Sequence, residues 1–159
     1  MMNFTSKYLT RKGWLKIDGN ESTITSISFC ISEPEVSDSL PKLYSVLNKQ
    51  LDDYFLHRKW TFTIDLHPQG TDFQKQVWME LQKIPFGKTV SYQEIANRLG
   101  NLQVIRAAAS ANGKNPIAIL IPCHRVIGKN GSLTGYAGGL ERKKFLLELE
   151  SGATSLELF

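Results

Sequence analysis

The sequence predicts an α+β chain, with a small N-terminal α/β domain over residues 1–69 and a mostly helical C-terminal domain over 70–159. Large apolar residues alternating with small or polar ones are confined to the first part, where they mark strands. Three- and four-residue apolar spacing dominates the second, where it marks helices. Between them His67-Pro68-Gln69-Gly70 interrupts both patterns and marks the boundary.

In the first part Ile27, Phe29 and Ile31 alternate with Ser26, Ser28 and Cys30 as one strand, with Cys30 as small filler on the opposite face. After Pro34 and Pro41, the residues Leu40, Leu43, Leu47, Leu51 and Tyr54 form the apolar face of an amphipathic helix. Phe62, Ile64 and Leu66 then alternate as a second strand. In the second part Thr71 and Gln74 form a capping box that opens a helix lined by Phe73, Val77, Leu81 and Ile84, ended by Pro85-Phe86-Gly87-Lys88. Ser91 and Glu94 form another box, opening a short helix with Ile95 and Leu99 inward and Gly100 as its stop. A third helix runs from about Gln103 to Asn112, closed by Gly113. Two short helices joined by a Gly-containing turn make a helix-turn-helix candidate.

A chain of 159 residues, 42% hydrophobic and 21% charged, can bury a core as one ordinary domain or two small ones. That balance excludes wholesale disorder, and no apolar run approaches a membrane span. The opening MMNFTSKYLTRKGW has no apolar segment of the secretory kind. Cys30 and Cys123 are too few for a disulfide scaffold, so a reducing, cytoplasmic setting is expected, although counting leaves one bridge between them open. The net charge of +4 is unevenly spread: residues 1–69 carry eight Lys/Arg against eight Asp/Glu, and 73–144 carry eleven against three. The second region suits a polyanion, nucleic acid foremost.

The third helix, Arg106-Ala107-Ala108-Ala109-Ser110-Ala111, is almost bare of side chains. A major-groove reader needs Gln, Asn and Arg to reach base edges. Ala and Ser instead allow close backbone approach, which suits either the narrow minor groove or a tightly packed interior. Next, Asn115-Pro116 leads into the apolar run Ile117–Ile121 and then Pro122-Cys123-His124-Arg125-Val126. A thiol is a useful nucleophile when a neighbour favours its thiolate. Adjacent residues on a strand face opposite ways, so His124 reaches Cys123 only through a bridging water or a bend. A cysteine protease draws its His from a distant segment, which makes a hydrolase a poor reading.

The run Ile119-Leu120-Ile121-Pro122-Cys123-His124-Arg125-Val126 closely resembles the signature of the O6-alkylguanine-DNA alkyltransferases. The resemblance extends over 70–159, through Phe73–Trp78, Val90–Ala96, Arg106-Ala107, Gly113–Pro116 and Gly135–Leu140. Over 1–69 it is one of general layout, with Gly13-Trp14-Leu15 the only familiar fragment. It implies a ribonuclease-H-like N-terminal domain and a single-turnover repair enzyme. Such an enzyme moves the alkyl group from O6-alkylguanine, and from O4-alkylthymine, onto its own Cys123. By the same resemblance His124 takes the thiol proton through a water, Glu150 orients the imidazole, Asn115 stabilises the turn behind the thiol, and Tyr92 rotates the nucleotide and donates to the base. Arg106 fills the vacated stack, while Ala107, Ala108, Ser110 and Ala111, with Arg125, form the DNA surface in the minor groove. Val126, Tyr136, Ala137, Gly138 and Lys143 surround the base.

Ala137 departs from the pattern, since many members have Ser there. The Gly128–Gly139 segment lacks the Gly-Lys-Ser/Thr ending of a phosphate loop. No cofactor is implied and no metal is expected: Cys30, His57 and His67 are scattered donors without Cys-x-x-Cys or His-x-x-x-His spacing. Trp14, Trp60 and Trp78 are expected as core or interface aromatics. The expected partner is double-stranded DNA, met by a monomer, with cooperation between neighbours on DNA left open and no membrane involved. One rival is a lesion-binding, alkyltransferase-like protein that flags damage without removing it, but such relatives have another residue, often Trp, where this chain has Cys123. A second is a helix-turn-helix regulator, whose third helix should carry base-reading side chains.

Overall fold

Alternating Leu15 and Ile17, both fully buried, make the Gly13–Gly19 stretch the centre of a sheet rather than its edge. In the computed structural model, which describes residues 2–60 and 62–152, this strand (β2) lies between β1 (Phe4–Thr10) and β3 (Ile24–Cys30). Both pairings are antiparallel, with Leu15 opposite Tyr8 on one side and Phe29 on the other. The β2–β3 register shifts at Asp18/Gly19. A side chain at Gly19 would collide with the Thr23 carbonyl and the Tyr44 hydroxyl, so only glycine fits.

Helix α1 (Lys42–His57) buries Tyr44, Leu47, Leu51 and Tyr54, the spacing expected of a core-facing stripe. Tyr54 anchors an aromatic cluster with Phe55, Trp60 and Phe62, their ring centroids 4.9, 5.7 and 5.9 Å away. Residues Met1–Gln69 together with Pro116–Ala118 form one compact unit, the latter joined through Ile27 N to Pro116 O and Ala118 N to Ile27 O at 2.9 Å each.

Gly70–Asn115 and Ile119–Phe159 form the second unit. Its described elements are α2 (Asp72–Gln82), β4 (Val90–Ser91), α3 (Tyr92–Arg98), α4 (Ile105–Gly113), β5 (Val126–Ile127) and α5 (Leu140–Ser151). The Thr71–Gln74 capping box is complete, with both reciprocal bonds formed. Val77, Trp78 and Leu81 are buried, and the Trp78 indole donates to Ala111 O at 2.8 Å, tying α2 to α4. β4 and β5 pair in parallel, Val90 opposite Val126. Among the described residues no helix is long and apolar enough to cross a membrane.

Several local expectations need correcting. Ile31 lies outside β3 and is 94% exposed, because the strand ends at Cys30. Leu40 precedes the helix, whose N-cap is Pro41, and stays exposed. Phe62, Ile64 and Leu66 are half-buried in alternation, yet they form no regular strand. A single bridge joins Leu66 to Ile24, and Thr63 is held by the Gln50 side chain instead. Ser91 accepts from Glu94 N, but the Glu94 carboxylate turns to Arg98 at 3.0 Å, leaving a half box. The expected third helix starts as a 3-10 turn over Leu102–Val104 before α4 begins. The apolar run before Cys123 is a turn rather than a strand, with Ile119 at φ 73°, a conformation costly for a β-branched residue.

Candidate active site

Cys123, His124 and Arg125 form one 3-10 turn, entered from Pro122 and leading straight into β5. Three residues per turn splay their side chains in three directions, so neighbours in sequence face different partners. All three are buried, Cys123 at 6% and the other two at 0% exposure. Cys123 N donates to Ile121 O at 2.8 Å and Arg125 N to Pro122 O at 3.0 Å, which locks the turn.

The turn is held from one side by α4 and the residues just after it. Asn115 Nδ2 donates to Ile121 O at 2.7 Å and Asn112 Nδ2 to Cys123 O at 3.4 Å. Burial pushes the Cys123 thiol up, while a hydrogen bond from Asn115 and the charge of Lys143 pull it back toward the thiolate. Lys143 is fully buried, its ammonium donating to Thr134 O at 2.7 Å, and burial pushes it down.

From α5, Glu150 reaches the same turn and is shared by two partners. Its Oε2 lies 2.6 Å from His124 Nε2, and its Oε1 accepts from Arg125 Nε at 2.6 Å. Arg125 Nη2 adds a bond to Oε2 at 3.1 Å, and Nη1 donates to Ile84 O at 2.7 Å. Gly87, at φ 79°, turns its N–H toward Oε1 at 3.4 Å. Burial pushes the Glu150 carboxyl up, but hydrogen bonds and charge from His124 and Arg125 outweigh it and hold it at about 2. Burial, with the charges of Arg125 and Lys143, pushes His124 down against the raising effect of Glu150, which favours the neutral imidazole. A neutral ring beside a carboxylate keeps its proton on Nε2, which leaves Nδ1 as an acceptor. That Nδ1 is buried and has no hydrogen-bonding partner among the described residues. The arrangement supplies a nucleophile, a base and a fixed anion behind the base.

Tyr92, the first residue of α3, is half-buried, its hydroxyl accepting from Thr134 Oγ1 at 3.0 Å. Thr134 therefore links Tyr92 to Lys143. Tyr136 keeps a buried hydroxyl with no partner among the described residues, and burial pushes its phenol well up. Val126 is fully buried in β5, Ala137 is exposed, and Gly138 O accepts from Arg142 at 3.3 Å. A separate pocket of about 280 Å³ is lined by Gly87, Lys88, Ile127, Leu133, Leu147 and Glu150, and Cys123 does not line it. Among the described residues no group of three or more His, Cys, Asp or Glu converges as a metal site requires.

Two expectations about the DNA surface are overturned. Arg125 does not face outward: it is fully buried, bonded to Glu150 and Ile84, and 5.8 Å from the Phe86 ring centroid. On α4 the helical period turns Ala108 and Ala111 inward, at 1% and 2% exposure, leaving Arg106, Ala107 and Ser110 outside. Asn112, Thr134 and Gly87 escaped the sequence reading. Only Asn112 left a trace there, as a polar residue three positions before Asn115 on an otherwise Ala-rich helix.

Comparison with known proteins gives a consistent result. Residues 72–152 match the family model described as 6-O-methylguanine DNA methyltransferase, DNA binding domain. The chain is 45% identical to the methylated-DNA–protein-cysteine methyltransferase of Methanosarcina acetivorans, over 87% of this chain and 92% of that one. It is 43% identical to the Mycobacterium tuberculosis (strain H37Rv) protein of the same name, over 92% and 91%. Among solved structures, M. tuberculosis OGT in complex with DNA superposes with a TM-score of 0.84 at 42% identity, covering 96% of this chain and 97% of that one. An O6-methylguanine DNA methyltransferase from Methanococcus jannaschii gives 0.70 at 28% identity, over 94% and 95%.

Proposed function

The chain belongs to the methylated-DNA–protein-cysteine methyltransferase family, and from that premise we propose that it carries the alkyl group of O6-alkylguanine in DNA onto its own Cys123. The chemistry is assigned to residues 70–159, and 1–69 is read as a ribonuclease-H-like accessory domain. The observation that carries this reading is the buried Cys123–His124–Glu150 set, with His124 Nε2 fixed on the carboxylate and Nδ1 left to take a proton.

In the reaction the Cys123 thiol gives its proton through a water to His124 Nδ1. The sulfur attacks the alkyl carbon; the C–S bond forms, the C–O6 bond breaks, and its electron pair passes to the guanine. Glu150 is already ionised and stabilises the imidazolium as it forms, as the buried carboxylate of a catalytic triad does. Arg125 supports this step indirectly by keeping Glu150 charged. The thioether is not hydrolysed, so each molecule acts once.

The target atom lies inside the duplex, so the nucleotide is flipped out at a cost of a few kcal/mol. α3 and α4 serve as a helix-turn-helix whose exposed Arg106, Ala107 and Ser110 enter the minor groove, Arg106 filling the vacated stack. Tyr92 donates to the base, and Tyr136, Ala137 and Gly138 close over it. O4-alkylthymine is a second substrate of the same pocket.

Incubation with a duplex containing O6-methylguanine is expected to replace one thiol proton by one methyl, located at Cys123 by intact-mass and peptide mass spectrometry. Cys123→Ala is expected to bind the duplex and gain nothing. Binding by the wild type with no gain in mass would overturn the proposal in favour of a damage-flagging protein.

A further inference from the structure

The buried residues of α4 are Ala108, Ala111 and Asn112, and the last is out of character. Asparagine is a poor helix former because its amide competes with the backbone, and here it is only 4% exposed. Its Nδ2 donates to the carbonyl of Cys123, the residue that carries the nucleophile, at 3.4 Å. A carbonyl can only accept, so this contact fixes the amide orientation and leaves Oδ1 as the remaining polar atom. Oδ1 is buried and has no hydrogen-bonding partner among the described residues. Native proteins rarely keep a buried acceptor unpaired, because it loses its water and gains nothing in return. Alanine at this position would match its neighbours, suit the helix better and remove that penalty.

We propose that Asn112 is a specificity-determining residue, its Oδ1 accepting a hydrogen bond from an N–H group of the flipped-out base held against Cys123. The assignment rests on the alkyl-transfer reading above. Alkylation at O6 removes the N1 proton of guanine, so the exocyclic 2-amino group is the N–H donor left on the pairing edge. O4-alkylthymine has lost its N3 proton and offers none. Asn112 therefore favours alkylguanine over alkylthymine. It also favours O6-methylguanine over O6-methylhypoxanthine, which differs from it only by lacking the 2-amino group.

The test compares single-turnover methyl-transfer rates from two duplexes, one with O6-methylguanine and one with O6-methylhypoxanthine at the same position. The wild type, Asn112→Ala and Asn112→Asp are each measured on both. The wild type is expected to favour methylguanine by about tenfold or more, the scale of one hydrogen bond to a buried acceptor. Asn112→Ala is expected to reduce that preference by about tenfold, the loss falling on methylguanine. Asn112→Asp keeps the acceptor and is expected to keep the preference. The ratio comes from one preparation of each variant, so partial misfolding lowers both rates and leaves the ratio intact. An unchanged ratio in Asn112→Ala, whether both rates fall together or neither moves, overturns the assignment and leaves alkyl transfer standing, as does loss of the preference in Asn112→Asp. Transfer from neither duplex by the wild type overturns alkyl transfer, and the assignment with it.

Discussion

The two units differ in what they bury. In the first, Leu15, Ile17, Ile24, Ile27, Tyr44, Leu47, Leu51 and Tyr54 make an apolar core, and the buried polar residues among those described are the uncharged Ser6 and Thr10. Its charges meet at the surface, as in the Lys7–Glu33 pair. In the second, His124, Arg125, Lys143 and Glu150 are all at most 4% exposed. Desolvating a charge is unfavourable unless a partner compensates, so a core of this kind is poor evidence of stability and good evidence of chemistry. One unit is built to hold its shape; the other holds a buried thiol among charges fixed in advance.

The largest test of that contrast is Arg125→Met. It leaves Glu150 buried with only neutral His124 and Gly87 N–H among the contacts described above, and breaking such a pair typically costs about 3–5 kcal/mol. Urea denaturation should show a loss of this size, together with slower alkyl transfer. A loss below about 1 kcal/mol would mean that the guanidinium contributes little, and that the buried network is no firmer than a surface pair.

Acid should strike at the same network. Glu150 is held at about 2 against an ordinary 4.5, so it contributes stability that is complete above 4.5 and is lost as pH falls toward 2. A shift of that size corresponds to about 3 kcal/mol. His124 is lowered from 6.5, so the unfolded chain binds its proton more readily and stability begins to fall below that pH. The two effects share a sign: the urea midpoint should drop progressively from pH 6.5 to 3. A flat profile over that range would contradict the shared carboxylate.

Much of this was legible in sequence where the signal is local. The Thr71–Gln74 box, the α1 stripe and the Pro122–Val126 signature each lie within a few turns of chain. The unread parts depend on distant segments. Arg125 looked like a DNA contact because nothing near it in sequence announces Glu150, 25 positions away. Ala108 and Ala111 suited either a groove or a packed interior, and the position of α2 behind them decides for the interior. The two-residue strands β4 and β5 are too short to show a period. Phe62–Leu66 has the right period but no partner strand to complete its ladder, so pattern alone misread it.

A smaller effect is expected at Asn115, which acts on the Cys123 thiol without bearing charge. Asn115→Ala removes a hydrogen bond that favours the Cys123 thiolate. The thiol should then ionise at higher pH, and transfer near pH 7 should slow by about tenfold, which is 1.4 kcal/mol. The pH–rate profile should move to higher pH, and raising the pH should recover the rate. A lower rate with an unmoved profile would make Asn115 a purely structural clamp on Ile121.

The smallest effect is expected in the first unit, where the contrast can fail from the other side. Lys7 and Glu33 pair with side chains 35% and 53% exposed, and the Lys7 ammonium also sits 5.2 Å from the Trp14 ring centroid. Water already solvates both ions, so pairing gains little over separation, and Glu33→Gln leaves the lysine its aromatic face. The unfolding free energy should change by no more than about 0.5 kcal/mol, and added salt should erase even that. Both units carry an acid–base pair, so Glu33→Gln set beside Arg125→Met contrasts an exposed pair with a buried, multiply bonded one. If the exposed pair proved as important as the buried one, the distinction between a unit that stores shape and a unit that stores charge would have no energetic basis.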